Sequence, residues 1–222
     1  MAKKQTDSVS FTMNVPAPIV FPLLSWDAVN KARARGLKVD SFGGDLLFSN
    51  DHEDVPGIKK AMAQAAKLMW PDRPFSELRF PWKLGDTMAD LAVKKQKNKD
   101  YLRGFNVLRV KSPVENREKE KRDAPTVYDI RNPSEPVISA EAIDKLIYSG
   151  ALVAAQLSFK GTEGNGSTIT DGVTCYLNSI MFIKDGKRIG VRDGAAVFSG
   201  IVGRAKDEDP TGGVDLDDEI PF

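Results

Sequence analysis

The stretch YLRGFNVLRVKS at residues 101–112 carries side chains that could bind a ligand on one of its faces. Read as a strand, its odd positions share a face, and this face holds Tyr101, Arg103, Phe105, Val107, Arg109 and Lys111. Rings interleaved with cations make a poor hydrophobic core. They suit an unpaired nucleic-acid strand, because bases stack on rings while cations follow the phosphates. The stretch therefore predicts a nucleic-acid-binding strand.

Two neighbouring segments add cations and a ring to this strand. A lysine-rich loop comes just before it and contains Lys94, Lys95, Lys97 and Lys99. A lysine run alone is usually a solvated loop, but here it adjoins a face with two aromatic rings, which favours a continuous binding track. The returning strand TVYDIR, at 126–131, contributes Tyr128 and Arg131 as further candidates.

Residues that could carry catalysis are scarce. His52 is the only histidine and lies in the polar loop SNDHEDVPG, without the positioned partner that a general base needs. The glycine-rich GTEGNGST lacks the lysine of a phosphate-binding loop. A nuclease would need a metal held by clustered carboxylates, for which Asp129 and Asp171 are the only candidates. The sequence predicts a binding protein rather than an enzyme, with no metal and no cofactor.

The charges are divided very unevenly along the chain. From Asp207 onward there are seven acidic residues and no basic one, which leaves 24 acidic against 32 basic residues in 1–206. The body therefore carries a net charge of +8 and the last sixteen residues carry −7. This asymmetry is typical of a basic surface that meets a polyanion, joined to an acidic arm that can compete for it.

The acidic segment ends in an apolar tip. Residues 207–222 are predicted to be a disordered tail, separate from a binding domain at 1–206, because acids, Gly212, Gly213 and Pro210 cannot form a core. An acidic arm with an aromatic end can insert its ring and carboxylate into a basic-edged pocket of a partner protein. The predicted partner-binding residues are Asp215, Asp217, Asp218, Glu219, Ile220, Pro221 and Phe222.

The elements that must position these residues are mainly strands. Alternating apolar residues predict strands at 9–15, from about Tyr101, at 126–131, at 151–160 and from 172. Helices are predicted at 56–70 and at 139–150, where Ser139 is the N-cap. The polar stretch 113–125 is predicted to be a mobile hairpin arm between paired strands, and the interval from Pro16 to the first helix a loop. Together they indicate a small β-barrel with helical and loop additions.

Two further expectations concern the environment of the chain. The single cysteine, Cys175, alternates with apolar neighbours and is predicted to be a buried thiol. The longest apolar run is too short to cross a bilayer, and the N-terminus lacks a signal peptide, so a cytoplasmic protein is expected.

Several motifs carry a resemblance to a known family. DDEIPF at 217–222 resembles the acidic tip with which bacterial single-stranded DNA-binding proteins recruit partner enzymes. The segments FPWKLGD, YLRGFNVLRVKS, PTVYDIRN and IYSGALVAAQLSFK, and the strand before KDGKRIG, resemble the single-stranded DNA-binding proteins of tailed bacteriophages, over about residues 9–204.

The resemblance implies a five-stranded Greek-key barrel of the OB-fold (oligonucleotide/oligosaccharide-binding) type. It also implies sequence-tolerant binding of single-stranded DNA, and a part in phage replication or recombination in the host cytoplasm. The alternative is a strand-annealing or duplex-binding accessory protein of phage recombination, whose basic loop grips the backbone without base stacking. The sequence leaves assembly into homo-oligomers open.

Overall fold

Strands dominate the part of the chain that the computed structural model describes, which is residues 8–116, 118–165 and 170–189. Its strands are β1 (Val9–Thr12), β2 (Ala17–Leu23), β3 (Ser41–Ser49), β4 (Trp82–Leu84), β5 (Phe105–Pro113), β6 (Thr126–Asp129), β7 (Asn132–Pro136), β8 (Leu152–Thr162) and β9 (Gly172–Lys184). Its helices are α1 (Trp26–Ala34), α2 (Val55–Met69), α3 (Gly85–Val93) and α4 (Ala140–Leu146).

Five of these strands close into a barrel. They pair in the order β8, β2, β3, β5, β9, and β9 pairs again with β8. β5 runs parallel to β9, where Val110 lies beside Cys175, and the other barrel pairs are antiparallel. This Greek-key arrangement is that of an OB fold, in which the second and third barrel strands form the usual binding face. The expected fold class is confirmed.

The barrel interior is filled by alternate residues of its strands and by one helix. Along β8, Val153, Leu157 and Phe159 are fully buried, as the period of two predicts. Helix α2 adds its own buried face to the same core. Cys175 is buried among these residues, and its burial raises the pKa of the thiol well above the ordinary value. The prediction of a buried thiol is confirmed.

Two predicted helices are found, with altered ends. Helix α2 occupies Val55–Met69, one residue from the predicted span, and Trp70 follows it and packs against the core. Ser139 caps α4 as expected, because its Oγ accepts a hydrogen bond from the Ala142 N–H over 3.4 Å. The helix ends at Leu146, four residues earlier than predicted.

The prediction of a loop from Pro16 to α2 is wrong. That interval contains β2, α1 and β3, and so two of the five barrel strands. Prolines at 16, 18 and 22 and glycines at 43 and 44 obscure the alternation that marks a strand. The proline-rich stretch at 73–86 contains β4 and the first two residues of α3.

The hairpin arm at 113–125 packs against α1, so the expectation of a free arm is wrong for its described residues. The Trp26 Nε1–H donates to the Arg122 carbonyl over 3.2 Å, and the Lys121 ammonium lies 5.1 Å from the Trp26 ring centre. Arg33 and Glu115 form an ion pair at 3.9 Å. The strands that flank the arm do not pair with each other along their length: β6 instead pairs in parallel with β9.

None of the described helices combines the length and apolar composition that crossing a membrane would require.

Candidate nucleic-acid interface

The outer face of β5 carries part of the predicted binding surface. Asn106, Leu108 and Val110 point inward and are buried, while the odd positions from 105 to 111 point outward. Arg109 is exposed and Lys111 half-buried. Val107 is only 2% exposed, because Val20, Leu47 and Leu102 cover it. Phe105, which packs against the same cluster, is therefore less available for stacking than the alternation predicts.

Tyr101 and Arg103 are not part of the strand, which corrects the prediction that they share its face. Tyr101 lies in a 3₁₀ turn at Asp100–Leu102, and β5 begins only at Phe105. Arg103 pairs with Asp90 at 2.9 Å and Asp100 at 3.2 Å, and these bonds raise the pKa of its guanidinium. Its charge is thereby offset.

Phe21 is an aromatic residue that the sequence reasoning missed. Its ring lies edge-on to the Tyr101 ring at 6.2 Å between centres, and 55% of the residue is exposed. Its φ of 52° is rare for a bulky side chain. The pairing of β2 with β3 shifts register between Val20 and Leu23, and the Phe21 N–H donates to Ser149 Oγ over 2.9 Å. This bulge leaves a large ring exposed beside Tyr101.

In the sequence, the only sign that position 21 is unusual is a phenylalanine directly before a proline, Pro22. No strand was predicted in this region. Strained backbone of this kind concentrates at functional sites.

Beside Phe21 runs an open groove of about 470 Å³, which we call the β3–β5 groove. Its cations are Lys38, Lys99, Arg109 and Lys111, and its carboxylates are Asp40 and Asp45. Within the described ranges, Lys38, Lys99 and Lys111 form no ion pair. Lys38 was not predicted. The groove thus combines an exposed ring with three unpaired lysines, and its side chains carry a net charge of +2.

Arg109 differs from these lysines because it is paired. It lies opposite Asp45 in the β3–β5 register, and its Nε and Nη2 donate to the two carboxylate oxygens over 2.9 and 3.2 Å. Asp45 holds the pKa of Arg109 above its usual value. The side chain of Asp45 is 13% exposed and that of Arg109 is 59% exposed. The guanidinium is therefore held in one direction, with much of its surface facing the groove.

The other predicted lysines lie outside the groove. Lys94, Lys95 and Lys97 are exposed where α3 ends, and of the four lysines predicted in the loop before the strand, Lys99 alone lines the groove. Lys83 lies opposite Val107 in the β4–β5 register and is exposed. Directly opposite residues share a face, so Lys83 extends the positive surface along β5.

Tyr128 and Arg131 belong to the β6–β7 hairpin and do not line the groove. The Arg131 Nε donates to both oxygens of Asp129 over 2.9 Å, which lowers the pKa of that carboxyl. Asp171, the second nuclease candidate, is bound to Arg73 and accepts from the Gly164 N–H over 2.7 Å. The tail residues 215–222 lie outside the described residues.

Comparison with known proteins gives a match at the level of structure. No family model matches the chain, and no curated protein matches it. The single-stranded DNA-binding protein from bacteriophage Enc34, solved in complex with ssDNA, is 16% identical with a TM-score of 0.58, over 85% of this chain and 97% of that one. A C-terminal truncation of that protein is 18% identical with a TM-score of 0.56, over 86% and 95%.

Bacteriophage T7 gp2.5, a single-stranded DNA-binding protein, is 15% identical with a TM-score of 0.49, over 94% of this chain and 99% of that one. At the identities and TM-scores of the Enc34 structures, likeness establishes the fold: this chain is built on the OB barrel seen in a phage single-stranded DNA-binding protein.

Proposed function

We propose that the protein binds single-stranded DNA without sequence preference, through the β3–β5 groove, and that it performs no chemistry of its own. The observation that carries the proposal is the exposed Phe21 ring, beside Tyr101 and next to the unpaired Lys38, Lys99 and Lys111. Every base has a face that can stack on a ring, so this arrangement tolerates any sequence. The groove lies on the face that OB folds use for oligonucleotides.

The phosphates of the strand would be held by the lysines and by the exposed side of Arg109. Binding of this kind releases counterions, so affinity should fall as salt rises, with a slope of about −0.7 for each phosphate contact. With three lysines in the groove, a slope of about −2 is the minimum expected from this site alone.

The process that the protein serves is proposed to be phage DNA replication or recombination in the host cytoplasm. The fold shared with the Enc34 protein supports it. We further propose that residues 207–222 form a separate acidic tail that recruits replication or recombination enzymes. Its tip, Ile220, Pro221 and Phe222, would enter an apolar pocket of the partner, and its carboxylates would meet basic residues at the rim.

The decisive test is Phe21→Gly. Glycine adopts a φ of 52° without strain, so this variant should remove the ring and keep the barrel. Titration with oligo-dT, followed by intrinsic fluorescence, should show binding about tenfold weaker than that of the unchanged protein, since stacking contributes about 1–3 kcal/mol per base. Thermal melting checks that the fold persists.

Phe75→Ala is the matched control, because that ring is 41% exposed but packs against Phe80, away from the groove. It should leave affinity unchanged. If Phe21→Gly and the protein without substitutions bind oligo-dT equally well, stacking at this site is refuted. The protein would then bind only the sugar-phosphate backbone of DNA. Oligo-dA and oligo-dC should bind within a few-fold of oligo-dT, and a strong preference would contradict sequence tolerance.

A further inference from the structure

A second groove, of about 390 Å³, lies on the outer face of β8 and β9. It is bounded by the end of β5 on one side and by the returning half of the hairpin arm on the other. Its lining is largely polar: Ser8, Ser112, Arg122, Asp123, Ser158, Lys160, Tyr176 and Asn178, with Pro113, Ala124, Pro125 and Leu177. We call it the β8–β9 groove.

The β8–β9 groove repeats the combination of ring and cations found at Phe21. Lys160 lies opposite Thr174, and Tyr176 lies opposite Ser158, so Lys160 and Tyr176 are diagonal neighbours on one face, about 7–8 Å apart at the backbone. Nowhere in 8–116, 118–165 or 170–189 does a carboxylate pair with Lys160 or Arg122. Among the described residues that line this groove, Asp123 is the single carboxylate.

The polar atoms of this groove are arranged by contacts within the sheet. Asn178 Nδ2 donates to Ser158 Oγ over 2.7 Å, which fixes the amide along the groove floor. Ser112 Oγ donates to the Leu177 carbonyl over 2.5 Å and ties the end of β5 to β9. The floor therefore offers ordered hydroxyl and amide groups, which can exchange hydrogen bonds with base edges or phosphates.

The two grooves are lined by consecutive residues at the end of β5. Lys111 lines the β3–β5 groove and the next residue, Ser112, lines the β8–β9 groove. β3, β5, β9 and β8 are successive neighbours in the barrel. With strands about 4.8 Å apart, a path from β3 to β8 covers roughly 14 Å of barrel surface. A strand of DNA leaving the first groove past Lys111 would therefore reach Tyr176 and Lys160.

We propose that single-stranded DNA longer than the first groove continues across the end of β5 into the β8–β9 groove. There a base stacks on Tyr176, while Lys160 and Arg122 hold the adjoining phosphates. The inference rests on the proposed function and extends it to a second site. It also gives the hairpin arm a role, because Arg122 belongs to the part of the arm that Trp26 holds in place.

The test compares short and long oligonucleotides. OB folds cover about 4–16 nucleotides, so a dT strand of about 6 nucleotides probes one groove and one of about 20 probes both. Lys160→Glu and Tyr176→Ala should each weaken binding of the longer strand about tenfold and leave the shorter one within about twofold. The number of nucleotides occluded per protein should fall in both variants.

Lys60→Glu is the matched control, because it makes the same charge change at an exposed position of α2 outside both grooves. Two outcomes would overturn the inference: Lys160→Glu behaving like Lys60→Glu with the longer strand, or equal losses for both lengths. The proposed function would fail in a distinguishable way: the protein without any substitution would not bind even the short strand.

Discussion

At the scale of single residues, the candidate interface depends on a carboxylate inside a basic groove. Asp45 is largely buried and accepts both hydrogen bonds from Arg109. It therefore cancels one positive charge at the centre of the surface that should meet phosphates. It also orients the guanidinium, since two parallel bonds fix its plane. Removing the Asp45 charge should strengthen DNA binding if charge cancellation is the larger effect, and weaken it if orientation of Arg109 is the larger one.

We expect Asp45→Asn to strengthen single-stranded DNA binding by a few-fold at low salt, because Arg109 becomes free to pair with a phosphate. The slope of log affinity against log salt should steepen by about 0.7, as expected for one more phosphate contact. Titration at several salt concentrations measures both. Weaker binding with an unchanged slope would contradict this and show that Asp45 serves mainly to position Arg109. Asp144→Asn is the control, because it also removes one carboxylate charge, from the ion pair between Asp144 of α4 and Lys31 of α1.

At the scale of elements, the barrel depends on a glycine in β3. Gly43 has a φ of 125°, and a Cβ built there would lie 2.1 Å from the Val110 carbonyl oxygen of β5. The neighbouring backbone leaves no room for a side chain at this point. β3 and β5 can therefore approach each other at the groove only because position 43 has none.

Gly43→Ala should lower the melting temperature and destabilise the fold by about 1–3 kcal/mol, the cost of a strained backbone, with the clash in addition. Gly104→Ala is the comparison. That glycine also has a positive φ, of 77°, but nothing described lies within 4 Å of the place that an alanine methyl group would take. Its loss of stability, measured by thermal or urea unfolding, should be clearly smaller. Equal losses would show that contact with β5 adds nothing.

The sequence predicted elements well where one period continued without interruption. β8 and α2 were found almost as expected, because their apolar residues recur at spacings of two and of three or four. β2 and β3 were missed because proline and paired glycines break the alternation at the points where the barrel bends. Phe21 was missed for the same reason. Phe105 was misjudged because it packs against a cluster that includes Val20 of β2 and Leu47 of β3, and neither strand was predicted.

At the scale of the whole molecule, the division of charge between residues 1–206 and 207–222 suggests competition. We propose that residues 207–222 compete with DNA for the lysines of the β3–β5 groove. Residues 207–222 contain seven acidic residues, more than the three unpaired lysines described in that groove. The effect should be strongest at low salt, because screening weakens attraction between separated charges.

Deleting residues 207–222 should tighten binding of oligo-dT at low salt, and the difference from the full chain should shrink as salt rises. Titrations of both proteins between low and physiological ionic strength measure this. A full-length variant with the seven acids changed to their amides is the control, because it keeps the length of the tail. Unchanged affinity on deletion would discard competition while leaving partner recruitment untouched.

The pairing of β2 with β8 also constrains how the protein folds. Ala17 lies opposite Val153, and this contact joins strands that are far apart along the chain. During synthesis, β2 can find its second neighbour only after most of the chain has left the ribosome. Folds dominated by such distant pairings acquire their structure slowly. The pairing of β2 with β8, which closes the barrel, should therefore be a late step in folding.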